Sequence, residues 1–526
     1  MKSSTVIKTP GVYINEVNSF GASAIPVPTA IPAFIGYTPQ AEYQGKSYTN
    51  VPTKITSFAE FQAVFCFPNS DTQVDSTEQY SPQYYLTAEK NQPEKGEYIL
   101  VGDSYYSIVP DPNTIYYLYN SIRLFYENGG GDAYIVSVGS YGAPTGKPMT
   151  TGTQIVNSNV QLNELLDGLA LLKNEQEPTM YICPEATLLT VANNGTLMEA
   201  MLLQCTEMQT AISIFDIIGG NDPEPTNYMD AITTFRNNTG ANGLKYGTAY
   251  YPFIGTTIMQ TSDINYTNLF GGDTKQLKAL LSPTSKPNAK AETILSNIEK
   301  PTGTPLTISQ YNKSLLAASP TYSTIIKHVL NDTNLLPPSG GMAGVITTTD
   351  YQSGPWQPPA NTSMVGAASL PIRLTDTQQA DLNIDAVSGK SINAIRYFNG
   401  QGILIWGART LDGNSQDWRY LSVRRTMIFL EQSCKHAARA YVFEPNTKNT
   451  WEAVTSMIGN FLTNIWKEGG LQGAKAADAF SVECGLGSTM TGDDILNGIM
   501  RINVKVAVVR PAEFIILTFE QQMAAS

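Results

Sequence analysis

The sequence predicts a multidomain chain of α/β and α+β class, and three observations support this prediction. The length of 526 residues exceeds what one hydrophobic core usually holds, so we expect about three domains. Between residues 113 and 251, amphipathic stretches alternate with short apolar runs, a pattern typical of a layered α/β domain. From residue 395 onward, two helical patterns and several strand-like runs follow one another closely, which indicates an α+β domain.

The N-terminal residues predict an unanchored polar arm followed by a strand without a neighbour. Residues 11–17 have strand composition, but no hairpin partner lies nearby in the sequence. Such a strand must pair with a distant segment or with another chain. Residues 25–37 predict the first strand of the folded body, and residues 57–65 predict a short helix.

Two polar stretches, residues 68–112 and 271–305, are rich in turn-forming side chains and predict solvated surface segments. Between them, strands and helices alternate: we predict strands at 133–138, 179–183, 211–218 and 246–251, and helices at 118–125, 162–172, 196–209 and 228–237. Residues 337–359 contain many prolines and glycines and predict a crossing to the C-terminal domain.

The C-terminal block has the clearest pattern. Residues 403–406 form an apolar run between glycines and predict a buried strand. Apolar residues at helical spacing predict helices over 418–439 and 449–466, the second with a capping box formed by Asn449 and Glu452. Further strands are predicted at 440–443, 501–508 and 514–519.

The net charge of −12 is unevenly distributed along the chain. From residue 396 to the end, 13 Lys and Arg face 12 Asp and Glu, a net of +1, so the first 395 residues carry −13. An acidic chain binds nucleic acid poorly, because neutralising phosphates requires a basic surface. No apolar run is long enough to cross a bilayer, and the N terminus lacks an apolar signal core. We therefore expect a protein made in the cytoplasm, with no nucleic acid partner and no direct membrane insertion.

The motifs that would carry catalysis are incomplete. Residues 142–147 have three residues where a Walker A loop needs four, and Pro148 replaces its magnesium-binding Ser or Thr. Residues 381–385 have the oxygen spacing of a calcium loop, but Ala386 and Ile392 occupy its glycine and bidentate carboxylate positions. The two histidines have no second ligand at helical spacing. We therefore predict no catalytic residue, no metal site and no cofactor.

An ordered set of motifs resembles the contractile tail sheath proteins of phages and of phage-tail-like injection systems. The C-terminal motifs are Trp406-Gly-Ala-Arg-Thr-Leu411, Val423-Arg-Arg425, Phe443-Glu-Pro-Asn446, Gly470-Leu-Gln-Gly473 and Arg510-Pro-Ala-Glu-Phe514. Upstream motifs that are also similar are Thr9-Pro-Gly-Val-Tyr13, Arg123-Leu-Phe-Tyr-Glu-Asn-Gly-Gly-Gly131 and Pro337-Pro-Ser-Gly-Gly-Met-Ala-Gly344. The resemblance therefore touches both ends and the middle of the chain.

The resemblance implies a C-terminal α+β sheath domain that the N-terminal segment completes, an inserted layered α/β domain and a surface-elaborated outer segment. The expected divisions are a strand-donating N-terminal linker arm (1–25), the first strand with the outer segment (26–112), the inserted α/β domain (113–345) and the C-terminal sheath core with its terminal strand arm (346–526).

The implied function is that of a structural subunit that polymerises helically around an inner tube and contracts, driving the tube through a target envelope. The implied partners are neighbouring sheath subunits, the inner tube protein, and baseplate and terminator proteins at the ends. The resemblance also implies that the stored energy lies in a metastable extended lattice, so no ATPase motif is needed. Assembly is expected in the bacterial cytoplasm.

The first candidate site is a pair of strands exchanged between subunits. Unpaired strand edges are strong templates, and a donated strand completes another chain's sheet through main-chain hydrogen bonds. The residues are Val12, Tyr13, Ile14, Asn15, Glu16, Val17, Phe514, Ile515, Ile516, Leu517, Thr518 and Phe519. The alternative is that both strands pair within their own chain.

The second candidate site is a basic surface that faces the tube, since the resemblance implies that the C-terminal domain lies innermost. Lys467 and Lys475 are the first candidates, because they flank a glycine-rich segment; Lys435 and Arg439 are the next. The neighbouring residues Arg424 and Arg425 are interpreted instead as intramolecular salt-bridge partners.

A second class of function also fits the composition, namely a soluble enzyme with an α/β catalytic domain and an accessory C-terminal domain. The missing nucleophile, metal and phosphate motifs argue against it.

Overall fold

The computed structural model describes residues 26–67, 79–93, 98–222, 228–284, 286–301 and 304–518. The predicted strand at 11–17 and Phe519 lie outside the described residues. The described chain divides into two compact units. We call residues 28–429 and 510–518 the large unit, and residues 26–27 and 430–509 the small unit, with the boundaries at Val27, Phe429 and Val509.

In chain order, the strands are β1 (Pro32–Thr38), β2 (Glu42–Tyr43), β3 (Lys46–Ser47), β4 (Thr53–Ile55), β5 (Tyr84–Glu89), β6 (Tyr98–Val101), β7 (Ser104–Pro110), β8 (Ala133–Ser140), β9 (Met180–Ile182), β10 (Ile212–Asp216), β11 (Gly247–Tyr251), β12 (Ile254–Thr256), β13 (Leu335–Leu336), β14 (Ala367–Ser369), β15 (Asn393–Phe398), β16 (Gly402–Trp406), β17 (Phe480–Glu483) and β18 (Asn503–Val506). The helices are α1 (Phe58–Phe65), α2 (Leu118–Glu127), α3 (Leu162–Leu171), α4 (Val191–Met208), α5 (Tyr228–Asn238), α6 (Thr274–Leu281), α7 (Ala289–Glu299), α8 (Ile308–Ala318), α9 (Pro320–Thr333), α10 (Ser339–Ser353), α11 (Asp376–Asn383), α12 (Leu421–Ala438), α13 (Lys448–Lys467), α14 (Ala476–Ala479) and α15 (Gly492–Leu496).

The large unit is built on an eight-stranded sheet with the order β16-β15-β11-β10-β9-β1-β8-β4. The inner strands pair in parallel, while β4 and β16 are antiparallel edge strands. Helices cover both faces of this sheet. Adjacent residues of β1 point to opposite faces, and they contact different helices. The Phe34 ring packs on Phe125 of α2, whereas Ile35 lies beside Gly168 of α3. This is the layered α/β architecture that the alternating pattern predicts.

The sheet crosses the expected divisions at residues 113 and 346. β1 lies in its interior, and β15 and β16 extend it at the other end. Periodicity along the sequence cannot reveal this, because parallel strands pair through crossovers between distant segments. The sheet core therefore includes residues from each side of both predicted boundaries.

The predicted crossing at 337–359 is wrong, since most of it forms the helix α10. Its glycines allow a close approach to α2: a Cβ atom on Gly340 would lie 2.6 Å from the carbonyl oxygen of Ser121, and one on Gly344 would lie 2.6 Å from that of Phe125. The glycines that suggest a loop are required for helix packing at this position.

The two predicted surface segments also contain ordered structure. The stretch 68–112 includes β5, β6 and β7, which form a three-stranded sheet with a buried side. The stretch 271–305 includes α6 and α7, which bury Leu277, Leu281 and Leu295. The sequence did not reveal these strands and helices, because short amphipathic elements have too few apolar residues to be distinguished from a polar loop.

The small unit contains the predicted second helix of the C-terminal block. α13 buries most of the apolar stripe that helical spacing indicates, namely Val454, Ile458, Phe461, Leu462 and Ile465, together with Met457. Trp451, also expected on this stripe, is partly buried. The capping box at Asn449 is wrong: Thr447 occupies the N-cap position, and no side chain caps the helix. The predicted strand at 440–443 is also wrong, because a 3₁₀ turn continues α12 over Arg439–Tyr441 and Phe443 has a left-handed φ of 71°.

Several other local predictions are confirmed. The strand at 403–406 is β16, and the glycines before it, Gly400 and Gly402, have φ values of 80° and 85° in the turn from β15. The strand at 501–508 is β18, which pairs antiparallel with the unpredicted β17. The short helix predicted at 57–65 is α1, and Ser57 precedes it as its N-cap, accepting a hydrogen bond from the backbone N–H of Glu60.

Candidate assembly elements

The C-terminal segment beyond Glu513 presents a continuous apolar surface to solvent. Phe514, Ile515, Ile516 and Leu517 are 68%, 78%, 89% and 74% exposed. Residues 514–518 form no strand with any other described residue. Consecutive exposed apolar side chains are unusual on a soluble monomer and mark an interaction surface.

Glu513, directly before this run, is held by side chains of the large unit. Its Oε2 accepts from Arg409 Nη2 at 2.6 Å, and its Oε1 accepts from Arg409 Nε at 3.0 Å. Asn383 Nδ2 donates to Oε1 at 3.0 Å, and the hydroxyl of Tyr420 donates to Oε2 at 3.3 Å. The Arg409 side chain is only 3% exposed and that of Glu513 is 22% exposed, so this bidentate pair is largely shielded from water.

The sheet of the small unit has only two strands among the described residues. β17 and β18 pair in the register Phe480 with Val506 and Glu483 with Asn503. Val504 of β18 is 39% exposed. A two-stranded ribbon is marginally stable by itself and gains stability from a further strand or a packed helix. α13 packs on β17. Each strand of a two-stranded ribbon has one outer edge, and such an edge is a template on which a further strand can pair.

The predicted tube-facing side chains all belong to the small unit and are all exposed: Lys467, Lys475, Lys435 and Arg439. Lys467 lies in the last turn of α13, and Lys475 precedes α14. Lys467 and Lys475 form no ion pair with another described residue. Their charges are therefore available to an external partner.

The interpretation of Arg424 and Arg425 as intramolecular salt-bridge partners is confirmed for Arg425, whereas the contacts shown for Arg424 are with aromatic rings. Arg425 forms a bidentate ion pair with Asp350 of α10, at 2.5 and 2.8 Å, and both side chains are 4% exposed. The Arg424 guanidinium lies over the rings of Trp418 and Tyr246, at 4.5 and 5.0 Å from their centroids. These arginines stabilise the large unit and are not available to a tube.

Two buried carboxyl groups in the large unit have raised pKa values, a property that catalytic acids often share. Burial raises the pKa of Glu185 to about 8 and that of Asp216 to about 7. Glu185 accepts from the backbone N–H of Leu118 at 2.8 Å, and Asp216 accepts from that of Ser339 at 2.9 Å. Both groups therefore bind the first residue of a helix, α2 or α10, which is a structural role.

Within the described residues, no cluster of three or more His, Cys, Asp or Glu side chains could hold a metal ion. No helix in the described ranges has the length and apolarity needed to cross a membrane.

Sequence reasoning overlooked two of these elements, β17 and the Glu513 contacts. Arg409 and Glu513 each lie in a motif singled out above, but nothing in either motif indicates that they meet. β17 alternates apolar and polar residues (Phe-Ser-Val-Glu), but a run of four residues is at the lower limit of the length that identifies a strand.

Residues 414–522 match the phage tail sheath C-terminal domain family. The tail sheath protein of Vibrio phage KVP40 is 30% identical over 192 residues, which cover 35% of this chain. This match spans only 28% of the length of that relative.

Two solved structures resemble the whole chain. The helical sheath of the anti-feeding prophage in its contracted state is 25% identical with a TM-score of 0.57, and the match covers 98% of this chain and 100% of that one. A chain of the six-fold symmetrised baseplate of the anti-feeding prophage is 25% identical with a TM-score of 0.56, over 98% and 100% of the two chains. These likenesses extend over both units, whereas the domain match is confined to the C-terminal part. Together with the C-terminal match and the phage relative, they show that residues 414–522 contain a phage tail sheath C-terminal domain and that the chain as a whole is similar to contractile sheath proteins.

Proposed function

We propose that this protein is a structural, non-enzymatic subunit of a contractile sheath. It polymerises helically around an inner tube and shortens, driving the tube through a target envelope. The observation that carries this proposal is the likeness over nearly the whole chain to a subunit of a contracted helical sheath. The subunit is assembled in the bacterial cytoplasm, with baseplate and terminator proteins at the two ends of the sheath.

Subunits are joined by strand exchange. The ribbon of β17 and β18 accepts strands from neighbouring copies, donated by residues 12–17 and by residues 514–519. Two features support this: the ribbon is short, and Phe514 to Leu517 are exposed although their composition suits a strand. Main-chain hydrogen bonds to a donated strand persist while the folded units move, so the lattice stays connected during contraction.

The small unit also contacts the tube. Lys467 and Lys475 bind acidic tube residues, with Lys435 and Arg439 alongside. An exposed ion pair contributes only about 0–1 kcal/mol, so this contact depends on repetition over many subunits.

Electron microscopy of the full chain co-expressed with its tube protein tests the proposal. We expect helical tubes from the intact chain. Removal of residues 1–17 should leave a soluble, folded subunit that forms no tubes, as judged by circular dichroism and negative stain. An intact chain that remains a monomer under all assembly conditions would contradict the proposed function, and full-length tubes from the truncated chain would contradict strand exchange alone.

A further inference from the structure

Arg409 connects the terminal segment to the interior of the eight-stranded sheet. Its backbone N–H donates to Asn393 Oδ1 at 2.7 Å, and its carbonyl oxygen accepts from Thr248 Oγ1 at 2.9 Å. Asn393 lies on β15 and Thr248 on the adjacent strand β11, and both are buried. The main chain of Arg409 is therefore fixed to two inner strands, while its side chain holds Glu513.

The chain reaches Glu513 only after it has passed through the whole small unit. Residues 430–509 belong to the small unit, and residues from Arg510 onward belong again to the large unit. The Arg510 side chain donates to the carbonyl oxygen of Gln416 at 2.7 Å and lies 3.7 Å from the Asp417 carboxylate. The side chains of Arg510 and Asp417 are 47% and 78% exposed. The contact on this returning segment that is best shielded from water is therefore the one at Glu513, because the Arg409 side chain is buried.

We propose that Arg409 and Glu513 form a clamp that anchors the exchanged terminal strand to the sheet of the large unit. This inference rests on the proposed sheath function. A neighbouring copy holds residues 514–519, and the clamp fixes the point at which that strand leaves its own chain. A pull on the strand then acts on β11 and β15 of the large unit, although residues 514–519 follow the small unit in sequence.

The chemistry of the pair suits such an anchor. A guanidinium binds a carboxylate through two parallel hydrogen bonds, which fixes both distance and direction. Lysine cannot reproduce this geometry, so Arg409→Lys keeps the charge but loses the clamp. A strand whose departure point is already fixed loses less conformational freedom on binding, which favours its capture by a neighbour.

The first test measures the freedom of the segment in the isolated subunit. Chymotrypsin must bind several extended residues around its target bond, so a clamped Glu513 hinders cleavage after Phe514 more than cleavage after Leu517. In Glu513→Gln and Arg409→Lys we expect the ratio of the two cleavage rates, followed by mass spectrometry, to rise by about tenfold or more, because breaking a charge pair that is largely shielded from water releases its segment. Arg510→Ala, which removes an exposed pair from the same segment, should change the ratio less than about fivefold.

The second test measures the assembled sheath. Tubes formed by the clamp variants should be shorter, and they should break at a lower urea concentration than wild-type tubes, while circular dichroism shows the same folded monomer. Arg510→Ala tubes should resemble the wild type in both respects. The clamp is refuted if the variants match the wild type in cleavage ratio and in tube resistance. Failure of the wild-type chain to form tubes would instead refute the proposed function, and the cleavage ratio would still report on the clamp.

Discussion

The large and small units differ in how completely their sheets are paired. β1 of the large unit is buried along its whole length between strands on both sides and helices on both faces. In the small unit, three of the four residues of β18 are exposed, and its sheet has two described strands. The small unit also has exposed apolar side chains, including those of Phe443 and Leu496, which are 102% and 85% exposed.

This difference indicates which part of the subunit can fold independently. A sheet that buries its inner strands on both faces satisfies its backbone groups and excludes water without help. A short ribbon with exposed apolar neighbours gains most of its stability from further partners. We infer that the large unit folds as a self-sufficient body, whereas the small unit is completed in the assembly.

The largest expected effect comes from removing residues 514–526. Tube formation should be lost completely, because no terminal strand remains to complete a neighbour's ribbon, while the melting temperature of the isolated subunit changes little. Negative-stain microscopy and calorimetry measure the two properties. Normal tubes from this truncated chain would mean that the small unit is complete without it.

The next effect concerns the stability of the large unit itself. Asp350→Ala leaves Arg425 buried without its carboxylate, so the free energy of unfolding should fall by about 3–5 kcal/mol, measured by urea unfolding. Arg501→Ala in the small unit is the control, since its partner Asp494 forms a pair with a 55% exposed arginine, and we expect a loss of about 0–1 kcal/mol. Equal losses in the two variants would contradict a self-sufficient large unit.

A comparable effect is a pH dependence of the large unit. The pKa of Glu185 and that of Asp216, about 8 and about 7, are higher in the folded chain than in the unfolded one. At a pH between the unfolded-state pKa and the folded-state pKa of a carboxyl group, the folded chain binds more protons than the unfolded chain. The free energy of unfolding should therefore fall as the pH rises from about 5 to 8, by at most about 1.4 kcal/mol per pH unit for each group.

Glu185→Gln keeps an acceptor for the Leu118 N–H but cannot titrate, so its urea-unfolding curves should show a shallower pH slope than those of the wild type. An unchanged slope would show that Glu185 is ionised in the folded state across this range. The same measurement on Asp216→Asn tests the second carboxyl.

The smallest effect per residue is expected at the tube-facing lysines. Lys467→Glu with Lys475→Glu should reduce co-sedimentation of the subunit with its tube protein at low salt, and added salt should lessen the difference between variant and wild type. Lys290→Glu with Lys313→Glu, exposed lysines of the large unit, form the matched control and should leave binding unchanged. A loss of binding in the control pair alone would place the tube contact on the large unit.

Most helices and several strands could be predicted from the sequence because their signals are local. The apolar stripe of α13, the alternation of β18 and the serine cap of α1 each depend on residues within a few positions of one another. Such patterns reflect which side of an element avoids water, and a linear reading detects them. The motifs that resemble tail sheath proteins, at both ends of the chain, could also be recognised directly in the sequence.

The sequence did not predict which elements and side chains pair with one another, because these contacts form only in the tertiary structure. β1 joins a sheet with β15 and β16, α10 forms where glycines suggested a loop, and Arg409 meets Glu513 across 104 positions. In each case the determining contact lies far away in sequence: another strand's edge, the backbone of α2, or a single carboxylate. Periodicity encodes burial but not the identity of the partner, so pairing and ion-pair geometry emerge only when the chain is folded.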